Sequence, residues 1–199
     1  MRTRRSSLTT GLLIAAAASL TVVGSGTAAA APPAPVPNLE LDRYLGEWRQ
    51  LAAIPQPFNL NCARDTTATY TLDPQGDIGV YNRCHTWTGG VDEIRGTATV
   101  NDPDTNAQLH VSFPGVPGQD QRVGETNYIV TELGPDYSWA LVTSPSRLSG
   151  FVLSRTPALD DTAWQQVDAA IRAAGQDPCV YLTSPTTGGD ADVRPLCTR

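Results

Sequence analysis

Six side chains in this sequence are thiols or imidazoles, types suited to covalent or metal chemistry: Cys62, Cys84, Cys179, Cys197, His85 and His110. A thiolate nucleophile needs a neighbouring base, and Cys84-His85 is the one place where the two types adjoin. The cysteine pattern argues against that use. Their number is even, no C-x-x-C occurs, and all four follow an export-type leader, which reads as two disulfides in an oxidising compartment. A zinc site would have to gather ligands from distant points, so no metal is expected. The "RCH" around Cys84 lacks the C-x-x-C-H of covalent haem attachment. No G-x-S-x-G is present, and with no lysine in the chain Schiff-base chemistry is excluded. The expectation is therefore no catalytic residue, no enzyme and no cofactor. His85 reads as a solvated loop histidine, with ligation of a haem iron as its alternative. His110, in the outward phase of its strand beside Ser112, reads as a surface residue.

The elements that would position any site begin after residue 30. Arg2, Arg4 and Arg5, the apolar run at 12–23 and the small residues ending at Ala30 form a secretory signal, exported by the Sec or Tat route. Its apolar run is shorter than the roughly 20 residues that span a bilayer. No cysteine stands directly after its expected cleavage point at Ala30, so no lipid anchor is expected and the mature chain reads as secreted. A Pro/Ala-rich linker covers 31–38. The whole chain carries 20 acidic and 14 basic residues; without the three leader arginines the balance moves from −6 to −9. Such a surface disfavours nucleic acid and anionic lipid.

Short extended pieces then follow in even succession: the opening strand after Gly46, then 66–72, 78–84, 92–100, 107–113, 127–133, 137–144 and 150–156. Turn chemistry such as "DPQGD" (73–77) separates them. Eight short strands argue a sandwich or a barrel. Residues 159–175 break the pattern, with Trp164, Val167, Ile171 and Ala174 on one helical face, Asp160 or Asp161 to cap it and Gly175 to end it. In the opening strand Trp48, Gln50, Ala52 and Ile54 alternate with Leu51 and Ala53. Both faces are apolar, as expected of a strand whose outer face the helix covers.

These blocks resemble the lipocalin family, closest to the bacterial lipocalin and apolipoprotein D-like group. "YLGEWRQLAAIPQPF" (44–58) is similar to the family's first block, with Gly46 and Trp48 as its G-x-W. "GPDYSWALV" stands at the T-D-Y block, with Asp136 and Tyr137 retained and Gly134-Pro135 replacing the usual entry. "FVLSRTP" carries the late arginine as Arg155. The resemblance implies an all-β fold: an eight-stranded antiparallel up-and-down calycin-type barrel over 39–183, with one C-terminal amphipathic helix packed outside and a tail, 184–199, held by a disulfide. It implies Arg155 stacked on Trp48 at the closed end. It also implies a small hydrophobic ligand, such as a fatty acid or lysophospholipid, bound inside.

Alternation over those strands gives the chamber-facing set as Gln50, Ala52, Ile54, Ala68, Tyr70, Val80, Asn82, Ile94, Ala98, Leu109, Val111, Phe113, Tyr128 and Val130. Ala52, Ala68, Gly96 and Ala98 look like space left empty, and Tyr70, Asn82 and Tyr128 are the interior polar groups. Burying ten methylenes is worth about 8 kcal/mol. Association costs at least about 4 kcal/mol of that, which leaves millimolar affinity and a need for hydrogen bonds. In the barrel topology Cys62–Cys84 would staple the mouth and Cys179–Cys197 would tie the tail. The rival pairing, Cys62–Cys197 with Cys84–Cys179, looks like apolipoprotein D's. Either leaves no thiol for a cysteine-dependent prostaglandin isomerase. Two other readings stay open: a secreted inhibitor or other protein-binding module acting through loops 55–65 and 114–126, and a tetrapyrrole binder.

Overall fold

The computed structural model describes residues 31–74 and 76–199, so the leader expected over 1–30 lies outside the described residues. A four-residue helix, α1 (Leu41–Tyr44), leads into β1 (Gly46–Ala53). Then come β2 (Cys62–Leu72), β3 (Ile78–Thr86), β4 (Val91–Val100), β5 (Gln108–Ser112), β6 (Tyr128–Leu133), β7 (Trp139–Thr143) and β8 (Gly150–Ser154). Each pairs antiparallel with its predecessor, and β1 pairs with both β8 and β2. The eight strands therefore close into a barrel, which removes the free edges a flat sheet would expose. The longest hairpin, β2–β3, is held at its turn by the Asp73 N–H donating to Asp77 O at 2.8 Å.

Helix α2 (Asp161–Ala173) starts where Asp160 accepts the Ala163 N–H at 2.8 Å, and Gly175 follows its end at φ +77°. Trp164, Val167, Ala170 and Ile171 are buried on its inner face, against Leu51, Trp139, Leu141 and Val152 on the outside of the barrel. The described residues thus form two apolar clusters, one inside the barrel and one between barrel and helix.

Strand β1 differs from its expected phase. A bulge between Gln50 and Ala52 shifts the register with β8, from Gln50↔Leu153 to Ala52↔Val152. One extra residue reverses every side chain beyond it. Ala52 and Ile54, expected in the chamber, pack in the helix-side cluster instead. The same strand gains a partner that the eight-strand reading lacked: β9 (Leu182–Thr183) pairs with Ala52 and Ala53 after β2 has diverged.

The closed end is laced rather than merely plugged. Gly46 sits at φ +91°, a conformation costly for any residue with a Cβ, and it turns the chain from α1 into β1. Trp48 is fully buried and donates its Nε1–H to Tyr44 O at 2.8 Å. The Arg155 guanidinium lies 3.7 Å from a Trp48 ring centroid and donates to the carbonyls of Glu47, Arg43 and Leu45 at 2.7–2.9 Å. Asp136 and Tyr137 both adopt positive φ, and the turn they form brings the Tyr137 hydroxyl to the Glu40 N–H at 2.9 Å. Arg43 covers the Tyr137 ring at 4.3 Å. Part of the Pro/Ala-rich stretch joins this packing: Val36 is buried and donates to Val130 O.

Both disulfides have the mouth-and-tail pairing, Cys62–Cys84 and Cys179–Cys197, and no cysteine is free. His110 is not a surface residue. It is only 9 % exposed, with Nδ1 2.7 Å from Glu125 O and Nε2 2.8 Å from Gln121 O, so it pins the 114–126 loop to β5. Gly124 packs on the ring, where a Cβ would come within 2.5 Å. The outward phase was right, but the loop folds back over that face. His110→Ala is expected to cost about 1–3 kcal/mol, from the lost carbonyl contact and the lost packing of a buried ring, in urea unfolding, with faster proteolytic cutting inside 114–126. An unchanged midpoint would show that the loop is held without the ring.

Candidate ligand chamber

The barrel encloses a cavity of about 670 Å³, open at the end opposite Trp48. That lies within the usual range for small-molecule sites. Its wall follows from strand alternation. Ala68 and Tyr70 of β2, Val80 and Asn82 of β3, and Ile94 and Ala98 of β4 line it on one side. Leu109 and Val111 of β5, Phe113 just beyond, and Tyr128 of β6 line the other, with Gln50 from β1. Ile94 is more than a third exposed, near the mouth. Val130 is fully buried but packs in the interior cluster without lining the cavity. Gly96 does not leave space: the Phe113 ring covers it, at 2.6 Å from where a Cβ would stand.

Two groups of lining residues were not read from the sequence. Ile78 and Leu153 extend the apolar wall. Tyr44, from α1, closes the floor, and only the fold of the chain ahead of the first strand brings it there. Its hydroxyl is 2.6 Å from that of Tyr128, which is 3.0 Å from that of Tyr70. The Tyr44 and Tyr70 rings stack at 5.5 Å, and Tyr70 meets Tyr128 edge-on at 6.4 Å. Burial raises all three phenols. It pushes Tyr70 up to about 12, while Tyr44 and Tyr128 rise well above the ordinary value, with neighbouring phenols adding to the burial effect. The floor is thus uncharged and carries its protons throughout the physiological range. Higher up, the buried Asn82 Oδ1 has no hydrogen-bond partner.

The mouth is apolar on its lip. Phe58 and Leu148 line it while 55 % and 76 % exposed, and the Phe58 and Phe151 rings lie 6.5 Å apart. The Cys62–Cys84 bond sits at the same end, with Arg83, Asp92 and Glu93 beside it. His85 belongs to β3 rather than to a loop, pairs with Arg64 and Val91, and is not among the residues lining the cavity. The arrangement offers a largely apolar enclosure with neutral hydrogen-bonding groups inside and charged ones at its mouth. Among the described residues no cluster of three or more His, Cys, Asp or Glu could hold a metal.

Comparison with known proteins agrees with this geometry. The model of the lipocalin-like domain matches residues 39–185. Temperature-induced lipocalin-1 of Arabidopsis thaliana is 37% identical over 134 residues, 66% of this chain and 71% of the relative. Outer membrane lipoprotein Blc of Escherichia coli is 33% identical over 175 residues, covering 86% and 93%. Apolipoprotein D of Oryctolagus cuniculus is 35% identical over 107 residues, which is 51% of this chain and 55% of the relative. Among solved structures, insecticyanin of the tobacco hornworm Manduca sexta superposes with a TM-score of 0.59 at 20% identity, covering 85% and 95% of the two chains. Lobster apocrustacyanin A1 gives 0.55 at 18%, covering 73% and 78%. With the family model spanning the whole barrel and α2, and the G-x-W, D-Y and late arginine meeting at one closed end, this chain belongs to the lipocalin family.

Proposed function

We propose that the protein is an extracytoplasmic carrier that holds one small, mostly apolar molecule non-covalently inside its barrel. The observation that carries this reading is the 670 Å³ chamber, apolar-walled and open at one end. Family membership supports it, since lipocalins bind small hydrophobic ligands. The exposed Phe58 and Leu148 give an entering apolar molecule its first contact. Export into an oxidising compartment is supported by the two disulfides, and among the described residues no helix is long and apolar enough to cross a membrane. Native mass spectrometry of protein exported by a bacterial host, with a visible absorption scan of the same sample, tests the reading. A retained adduct, or stoichiometric uptake of added fatty acid or pigment, is expected. A clean apo mass with no uptake of either would sink it and turn attention to loops 55–65 and 114–126 and a protein partner.

A further inference from the structure

The three-tyrosine floor has a proton to spare. Tyr44, Tyr70 and Tyr128 carry three hydroxyl protons but share only two O···O contacts, 2.6 and 3.0 Å. Each contact uses one proton. Tyr44 and Tyr70 can both donate to Tyr128, or the chain can run in one direction; in either arrangement one O–H is left over. None of the three hydroxyls has another protein partner among the described residues. A buried donor without an acceptor carries a desolvation penalty that a guest oxygen at the floor would remove. All three tyrosines line the chamber, so the spare donor is available to what enters it.

The charge around the floor selects the kind of oxygen. Buried phenols that hold their protons offer hydrogen bonds without positive charge. Arg155, whose charge is felt at Tyr44 and Tyr70, does not line the chamber; it stacks on Trp48 and donates to three backbone carbonyls. The arginine that does line the cavity, Arg83, is an exposed residue three positions from the end of β3 near the mouth disulfide. A carboxylate driven to the floor would be a buried charge with one donor and no facing cation, which is costly. A neutral carbonyl needs only the one donor.

We infer that the chamber takes its ligand polar end first, and that this end is a neutral hydrogen-bond acceptor, a ketone, aldehyde, ester or amide carbonyl, seated on the Tyr44–Tyr128–Tyr70 cluster with the apolar body reaching toward the mouth. The inference rests on the carrier reading and adds the orientation and the chemical class.

Three probes of matched length separate the two. Tridecane, 2-tridecanone and tridecanoate are titrated against the full protein by displacement of a fluorescent naphthalene sulfonate. The ketone is expected to bind about tenfold more tightly than the alkane, the value of one buried neutral hydrogen bond. In the Tyr44→Phe/Tyr70→Phe/Tyr128→Phe variant that ratio falls to about one. A single Phe exchange is not enough, because any two of the phenols can still present a free proton. Infrared spectra of carbonyl-labelled 2-tridecanone on the unaltered protein give a second reading that does not depend on the variant folding. There the carbonyl stretch is expected below its position in an alkane solvent. Equal binding of alkane and ketone, an unchanged ratio in the triple variant, or an unshifted stretch would each overturn the head-first arrangement while leaving a carrier standing. Uptake of none of the three would remove the carrier reading and this one with it.

Discussion

Ala68→Trp is expected to leave the barrel folded and to weaken ligand uptake by about a hundredfold or more. Ala68 lies on the chamber wall, in register with Trp48 on one side and Asn82 on the other. An indole there projects into the cavity, and the ligand must withdraw an equal length of chain. Displacing four methylenes costs about 3 kcal/mol at roughly 0.8 each, so affinity should fall by about a hundredfold or more. Thr69→Trp is the matched control, since Thr69 faces outward on the same strand and does not line the cavity. Titration of both variants with one fatty acid or ketone decides the matter. Equal uptake by the two would place the bound molecule outside the barrel, whatever the cavity's volume.

Trp48→Ala acts on stability instead. The indole is completely buried, packs at 5.1 Å from Tyr44, donates to Tyr44 O and carries Arg155 on its face. Deleting a buried Trp costs about 3–5 kcal/mol through lost transfer energy and the cavity left behind. That is a large share of the roughly 5–15 kcal/mol that holds a domain of this kind together. Denaturant unfolding should show a midpoint lowered to match, and Trp48→Phe should recover much of it. A loss below about 1 kcal/mol would mean that the closed end is held by Arg155's carbonyl contacts and the α1 segment alone. The family motif is thus a structural lock, and its residues form the base beneath the chamber.

Much of this was legible in order along the chain. Period-two alternation between turn residues is a local signal, so β2 to β6 and their chamber faces followed from it: Ala68 and Tyr70, Val80 and Asn82, Leu109 and Val111 line the cavity as expected. The face of α2 was equally local, since Trp164, Val167 and Ile171 recur at helical spacing. The cysteine pairing was narrowed to two sets, and the mouth-and-tail set is the one the structure holds. The misses share a different cause. Ala52 and Ile54 were misplaced because the Gln50/Ala52 bulge leaves no mark in an alternating pattern. His110 was misread because its cover, the 114–126 loop, is set by a fold-back that strand phase does not encode.

The sequence by itself determined the eight barrel strands, the main helix and a largely apolar interior, because each arises from the spacing of residues within one element, while the closed-end motif came with the family resemblance. Only the tertiary structure decided that Tyr44, ahead of the first strand, meets Tyr70 and Tyr128 on one floor. Those three hydroxyls lie 84 and 58 residues apart in the chain, and a count of protons against acceptors exists only once they touch. Alternation can say that a tyrosine faces inward; the closure of the barrel and the path of α1 beneath it decide which other side chain its hydroxyl finds.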